Sequence, residues 1–246
     1  MTPEETAAVA AGSPAMARAS AAADRYDPQS RLWPVFKGIL WMYRTVCVGR
    51  VFVQGRQHIT SGARILVSNH ARVSDSFLLP FVFGRLHGMA QAESFTLPFL
   101  GVLMARAGQV PVIPGRGREA LTRAEDLLRR GETILIYPEG RLSHGGEMLR
   151  GKTGAVRLSL QSGAPLVPVA VHAAEKYSRM MRGRFYGRRT AGAWQFGGPA
   201  FVAIGEAWRP FDPAGARPSL SELRRTTDEV MARVRRLLEE ARRMAG

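Results

Sequence analysis

The sequence predicts an α/β protein: a mostly parallel central sheet flanked by helices, with an amphipathic helix near the N-terminus. Three observations predict it. Apolar, β-branched runs recur at Arg64-Ile65-Leu66-Val67, Thr133–Tyr137, Pro165–Val171 and Phe201–Gly205, and strands that read as unbroken apolar runs are buried on both faces. Helical patterns lie between these runs, which favours βαβ units over hairpins. Two runs also end in the same way, with an apolar strand leading into a tight turn and then charged residues. Ser68-Asn69-His70-Ala71-Arg72-Val73-Ser74-Asp75 follows one, and Pro138-Glu139-Gly140-Arg141-Leu142-Ser143 follows the other. Ligands of open parallel sheets bind outside the carboxyl ends of the strands, so both motifs are expected to face one crevice.

Composition narrows the classes. The 246 residues suffice for a sizeable core in one domain. A formal net charge of +15 calls for an anionic partner: membrane lipid, nucleic acid, a phosphate-rich cofactor or an acidic carrier protein. No zinc-finger or RRM signature accompanies the charge, so nucleic acid is not the expected partner. Cys47 is the one cysteine, which excludes an intramolecular disulfide and fits a reducing compartment. No His/Cys/carboxylate cluster has ligand spacing, so no metal is expected. No apolar stretch is long enough to span a bilayer. The first residues carry Glu4 and Glu5 and are broken by Gly12-Ser13-Pro14, unlike a secretory signal.

Taken in order, residues 1–25 are Ala-rich with little large apolar surface and are expected to be a disordered tail; residues 26–246 are expected to form the single domain. Over about 31–48, Leu32, Val35, Phe36, Ile39, Tyr43 and Val46 recur at helical spacing, with Lys37 and Arg44 on another face. Such a helix fits a membrane interface or ordinary packing on the domain. Arg50–Gln54 reads as a strand stopped by Gly55, Phe77–Phe83 as a helix with Pro80 near its start, and Gly88–Ala92 as a short strand. Leu97–Met104 is an apolar helical surface, suited to packing or to lining an acyl slot. Gln109–Ile113 is extended and leads into Pro114-Gly115-Arg116-Gly117-Arg118, a turn of free N–H groups and two guanidiniums that suits a phosphate. Glu119–Arg130 is helical and Gly131 ends it. Gly151-Lys152-Thr153-Gly154 precedes a helix whose N-terminus suits an anion. Gly146–Thr153 matches a P-loop pattern, but a P-loop leaves a strand directly and this segment does not. The prolines of Pro165–Val171 suggest a strand start or a sheet edge. Residues 172–200 interleave Lys176, Arg179, Arg182, Arg184, Arg188 and Arg189 with aromatics, as a headgroup- or phosphate-contacting segment or a solvated basic loop does. A long amphipathic helix over about 219–245, with Leu223, Val230, Val234, Leu237, Leu238 and Met244 on one face, closes the chain.

His70 and Asp75 carry the chemistry. On one continuous helix, five residues turn through roughly 500°, which points the two side chains about 140° apart. They meet only if His70 lies in the loop and Asp75 at the start of the next element. A His held by an Asp is a general-base pair, because the carboxylate fixes the tautomer and stabilises the imidazolium. The plainer alternative is a helix-capping carboxylate or Ser74 hydroxyl beside a half-buried His. A serine nucleophile at Ser68, Ser74 or Ser76 lacks the Gly-x-Ser-x-Gly turn.

Four blocks come in one order: Asn69-His70 with Asp75, Arg116 after Val112-Ile113, Tyr137-Pro138-Glu139-Gly140, and Pro165-Leu166-Val167-Pro168. In this they resemble the glycerolipid acyltransferases, the lysophosphatidic acid acyltransferase family, over roughly residues 35–210. The resemblance implies transfer of a fatty acyl group to the hydroxyl of a lysophospholipid, 1-acyl-sn-glycerol-3-phosphate. The donor is acyl-CoA or acyl-carrier protein as co-substrate, with no further cofactor. It makes His70 the base and Asp75 its orienting partner. It assigns Arg116, Glu139, Gly140 and Arg141 to substrate binding and Pro168 to the acyl-binding wall; Lys152, in the turn before the helix at Ala155, joins the substrate-binding set on its own position. Arg118 competes with Arg116 for the second-block role. It also implies an anionic membrane surface as partner, peripheral attachment at the cytoplasmic side of the plasma membrane, and an enzyme rather than a non-catalytic lipid- or carrier-binding protein. One departure stands out. The family usually has Glu-Gly-Thr-Arg-Ser where this chain has Glu139-Gly140-Arg141-Leu142-Ser143, so the guanidinium comes one position early and the Thr hydroxyl is absent.

Overall fold

A computed structural model describes residues 17, 20–22, 24–143, 147–185, 188–212 and 217–246. The apolar runs form β1 (Val51–Gln54), β2 (Arg64–Ser68), β3 (His87–Gln91), β4 (Val110–Val112), β5 (Thr133–Ile136), β6 (Leu166–His172) and, after a hairpin, β9 (Ala200–Ile204). These seven make one sheet in the order β1-β9-β6-β2-β5-β3-β4. Its pairings are parallel except β6 with β9, so the mostly parallel sheet expected from sequence is present. Strand β2 is central, paired with β5 through Leu66↔Leu135 and with β6 through Leu66↔Val167.

The helices are α1 (Trp33–Cys47), α2 (Asp75–Leu78), α3 (Pro80–Phe83), α4 (Leu100–Arg106), α5 (Gly117–Arg129), α6 (Gly154–Ser162) and α7 (Leu220–Arg243). The two-residue alternation of a strand sorts the core into layers. Ile65 and Val67 of β2, with Ile134 and Ile136 of β5, face Ala124 and Leu127 of α5, Val156 and Leu158 of α6, and Val230 and Val234 of α7. Leu66 and Leu135 face the other way, onto Leu78, Leu79 and Phe83. Helix α7 starts with a reciprocal cap, the Ser219 hydroxyl accepting from Glu222 N–H while the Glu222 carboxylate accepts from Ser219 N–H.

Several sequence expectations change. Strand β6 is not an edge: it is paired on both sides. Pro165 does stand at its start, but Pro168 is internal. A strand residue points its N and C=O to the same side, and the Pro168 carbonyl accepts from Gly205 N–H. The missing donor of Pro168 therefore faces Gly205, just past the end of β9, so the one ladder bond that the proline forfeits lies at the end of that pairing. The basic segment after β6 is a two-stranded antiparallel hairpin rather than a loop, β7 (Ser178–Phe185) with β8 (Arg188–Gln195); Tyr186 lies outside the described residues. The apolar stripe read on α1 mixes two faces. Trp33, Phe36 and Leu40 are buried against Leu103 of α4 and Phe77, while Leu32, Val35, Ile39, Met42 and Val46 lie exposed. Arg44 lies over the Phe81 ring rather than projecting to solvent. The expected Phe77–Phe83 helix is split between α2 and α3 at Leu79, and the helix expected from Leu97 begins at Leu100. Of the N-terminal tail, residues 1–16 lie outside the described residues, but Ser20–Ala22 are helical and Ala22 packs on Phe95 and Ala105.

Gly55, expected to end β1, does so with φ +81°, and a Cβ there would lie 2.0 Å from the Ile204 carbonyl oxygen. Both the left-handed backbone and the contact demand glycine. Gly55→Ala is expected to destabilise the chain by roughly 2 kcal/mol or more, read as a lower urea midpoint at unchanged slope.

Candidate active site

Strands β6, β2, β5, β3 and β4 all run the same way, so their C-terminal ends share one edge of the sheet. Asn69 and His70 leave β2 there, and Tyr137–Ser143 leave β5 beside them. Because β9 runs antiparallel to β6, the hairpin linking them lies at this edge too. The two motifs therefore lie at one edge of the sheet, as the sequence leads one to expect.

His70 occupies the loop after β2, and Asp75 is the first residue of α2, the placement that allows them to meet. Asn69 anchors the loop: its side-chain amide donates to the Val171 carbonyl at 3.1 Å and its oxygen accepts from Val171 N–H at 2.9 Å. The His70 main chain is held at both ends. Its N–H donates to Glu139 Oε1 at 2.9 Å, and its carbonyl accepts from Ser143 N–H at 2.8 Å and Ser143 Oγ at 3.1 Å. Its ring stacks on Tyr137, centroids 3.9 Å apart and planes 15° off parallel. The Tyr137 hydroxyl in turn lies 2.9 Å from Ser76 Oγ. Burial pushes the His70 imidazole down to about 4, against a smaller upward pull from the Arg72 main chain, so the ring is neutral and able to accept a proton at pH 7.

Asp75 is wholly buried. Its Oδ2 accepts from Arg72 N–H at 2.8 Å, and the Arg72 guanidinium stands 4.0 Å from Oδ1. Burial raises its carboxyl to about 6, opposed by the Arg72 charge and by the N–H groups of Arg72 and Ala71. His70 Nδ1 and Asp75 Oδ1 are both buried without a hydrogen-bond partner, so the two are not bonded to each other in this structure. Ser74 stands at the N-cap of α2, but its hydroxyl does not cap the helix; it accepts from Gln195 N–H of the hairpin at 3.1 Å.

The other residues separate into three groups. Glu139 is buried, and its second oxygen accepts from Leu149 N–H at 2.8 Å. Both oxygens are thus engaged by the main chain, and the structure makes Glu139 a brace rather than a group aimed at substrate. Gly140, Arg141 and Lys152 come together. Gly140 has φ +69°, a Cβ there would lie 2.8 Å from Lys152 Nζ, and Arg141 beside it is exposed. Arg116 and Pro168 stand apart. Arg116 follows β4, three strands from β2, roughly 14 Å at the usual strand spacing; it is exposed and pairs with Glu119 at 3.7 Å. Arg118 is likewise exposed on the first turn of α5. Pro168 is buried four residues before the end of β6, roughly 13 Å below the edge, with its ring by Gly205; the structure does not bring it to the crevice.

Sequence reading gave no role to Arg72, Tyr137, Gln195 or Gln91. Arg72 and Tyr137 were inside the motifs, and an Arg three residues from an Asp was a readable signal. Gln91, whose amide donates to the Gly140 carbonyl at 2.7 Å, and Gln195 arrive through long-range packing and left no local signal.

A neutral histidine and a wholly buried carboxylate thus share one short segment at the carboxyl edge of a mostly parallel sheet. Residues 50–172 match the Acyltransferase family, and the chain belongs to it. Among curated relatives, the 1-acyl-sn-glycerol-3-phosphate acyltransferase of Pseudomonas aeruginosa is 25% identical over 174 residues, 69% of this chain and 66% of that one. The human 1-acyl-sn-glycerol-3-phosphate acyltransferase alpha is 28% identical over 142 residues, 55% of this chain and 50% of that one. The matched part thus spans less than two thirds of either relative's length. The crystal structure of the 1-acyl-sn-glycerophosphate (LPA) acyltransferase PlsC from Thermotoga maritima is 24% identical with a TM-score of 0.58, covering 80% of this chain and 73% of that one; it shares the fold.

If Glu139 braces two main-chain segments, Glu139→Gln leaves one N–H facing an amide NH₂. The expected result is a loss of roughly 1–3 kcal/mol of stability and a fall in kcat with little change in KM for the acceptor. A substrate ligand would instead show a raised KM at unchanged thermal stability.

Proposed function

We propose that the chain transfers a fatty acyl group from a thioester donor, acyl-CoA or acyl-carrier protein, to the hydroxyl of 1-acyl-sn-glycerol-3-phosphate. The observation that carries this reading is the neutral, main-chain-clamped His70 beside Asp75 within the family-matching segment; the names of the relatives support the acceptor. His70 removes the proton of the acceptor hydroxyl as its oxygen attacks the thioester carbonyl. The C–O ester bond forms, the C–S bond breaks, and the proton passes to the leaving thiolate. The thioester is already activated, so no covalent acyl-enzyme and no cofactor beyond the co-substrate is needed. Asp75 Oδ1 and His70 Nδ1, each without a partner, pair when the acceptor seats the ring, and the carboxylate then stabilises the imidazolium. Lys152 and Arg141, with Arg116 farther along the edge, supply cations for the acceptor's phosphate.

The same proposal places the enzyme on an anionic membrane surface, at its cytoplasmic side. Among the described residues no helix is long and apolar enough to cross a membrane, and the attachment proposed is through a surface. The exposed stripe of α1 supports it: Leu32, Val35, Ile39, Met42 and Val46 follow one helical face, Val46 is 78% exposed, and Trp41 is 57% exposed nearby. Phe99, 92% exposed at φ +56° just before α4, adds an aromatic on an element packed against α1. Such a face sits at the headgroup–acyl boundary with bases toward phosphates.

Three outcomes test the reading. His70→Ala is expected to lower acyl transfer to the lysophospholipid by about 10²- to 10⁴-fold, followed by thiol release; a near-normal rate sinks the mechanism. In the native enzyme, kcat/KM is expected to fall below about pH 6, where Asp75 takes up a proton and stops supporting the base. Val46→Asp is expected to reduce co-sedimentation with anionic vesicles while leaving the circular dichroism spectrum unchanged.

A further inference from the structure

Arg72 lies inside the motif loop but has no part in the chemistry above. It is buried, 7% exposed, an uncommon place for a guanidinium. Its Nε donates to Ser178 Oγ at 2.6 Å, and Nη2 donates to the Ala173 carbonyl. Nη1 stands 4.0 Å from Asp75 Oδ1, and the backbone N–H of the same residue donates to Asp75 Oδ2 at 2.8 Å. Ala173 follows β6 and Ser178 opens β7, so one guanidinium joins the motif loop, the end of a central strand and the foot of the hairpin.

That junction matters because of what it holds. A carboxylate removed from water stays charged only beside a compensating charge and hydrogen bonds. The titratable groups that act on Asp75 are Arg72 on its own loop, Tyr43 from α1 and Tyr137 after β5; His70 stands on the same loop, and His172 at the end of β6 faces Arg72, its imidazole held low by burial and by that charge. Burial pushes Tyr43 up to about 12 and Tyr137 further, so both phenols are neutral. Burial also keeps His70 neutral in the resting site. The hairpin meets this region through Gln195 and Ala193, whose carbonyl accepts from Val73 N–H, and neither is charged. Of the groups facing Asp75, Arg72 is the cation.

We propose that Arg72 is a positioning residue for the acyl transfer: its guanidinium and its N–H together keep the Asp75 carboxylate charged and in place, and the hairpin, through Ser178, sets where that guanidinium stands. The inference rests on the assignment of His70 and Asp75 as the base pair. It gives the hairpin a function. A shift of the β7 foot relaxes Arg72, and Asp75 then takes a proton at a higher pH than before.

The test compares kcat/KM against pH for the native enzyme, Arg72→Met, Arg72→Lys and Ser178→Ala, using acyl-CoA with 1-acyl-sn-glycerol-3-phosphate. In parallel, the infrared band of the protonated Asp75 carboxyl is titrated, assigned by subtraction of Asp75→Asn. Arg72→Met is expected to move the acid limb upward by about 1–3 pH units, so that activity lost at pH 6.5 returns towards native at pH 9. The protonated-carboxyl band is expected to persist over the same range. Arg72→Lys should restore most of the native profile, and Ser178→Ala should shift it in the same direction by less. An unmoved limb and band in Arg72→Met, or equal losses at every pH, overturn the inference. An unmoved Ser178→Ala overturns the hairpin's share, and this variant, with Arg72→Lys, carries the test if Arg72→Met does not fold. Full activity in His70→Ala removes the base assignment instead, while the infrared titration still reports on Arg72.

Discussion

The amide N–H of His70 donates to Glu139, and two residues later the amide of Arg72 donates to Asp75. Two buried carboxylates therefore hold the main chain of the loop that carries His70. Charge-assisted bonds of this kind are shorter and stronger than neutral ones. Here they fix a segment that has just left a strand and has no ladder to continue. The rest follows from that hold. Ser143 can reach the His70 carbonyl only because Glu139 brings the β5 loop alongside. Tyr137 can stack on the imidazole because β5 is the strand next to β2. Asn69 ties the other side of the loop to Val171 of β6. The main chain at His70 is thus set by three neighbouring strands, while its ring makes no hydrogen bond through Nδ1.

The architecture was legible because it rests on local signals. Short apolar runs bounded by turn residues, such as Thr133–Ile136, read as strands buried on both faces, and Gly55 and Gly131 mark boundaries by their own conformational preferences. The position of His70 in a loop and Asp75 at a helix start followed from helical geometry alone. What stayed hidden depends on neighbours distant in sequence. Pro168 looked like an edge residue because a proline forfeits a donor, and nothing local shows that this donor faces past the end of β9. Glu139 looked like a ligand because it is a charge in a motif, and only the fold reveals that two amides occupy it. Helix α1 carries apolar residues on two adjoining faces, and periodicity cannot say which one the domain covers. The hairpin reads as a basic loop because Gly192 and the Ser74–Gln195 bond, which seat it, involve residues more than a hundred positions apart.

The hairpin and α1 also bear on each other. Tyr43 donates its hydroxyl to the Gln195 carbonyl and meets Trp194 edge-on, 5.7 Å between ring centroids, while Phe77 from α2 meets both rings. The buried face of α1, the foot of the hairpin and the helix that begins with Asp75 therefore share one aromatic contact. Edge-to-face packing of this kind is directional, so a tilt of α1 has a short mechanical route to the start of α2.

Burial displaces Asp75 and His70 in opposite directions, to about 6 and about 4, and this has a consequence for the proton inventory of folding. The raised carboxyl contributes stability that is present below its unfolded value, near about 3.9, and is lost as pH rises through 6. The lowered imidazole contributes stability that is present above about 6.5 and is lost as pH falls through 4. Between pH 4 and 6 the folded pair holds one proton, on Asp75, and the unfolded pair also holds one, on His70. Unfolding across that window exchanges which residue carries the proton without changing the count, so the two slopes cancel. Across that window the titration of these two groups therefore leaves the stability of the fold unchanged, while the proton on Asp75 removes the charge proposed to support His70.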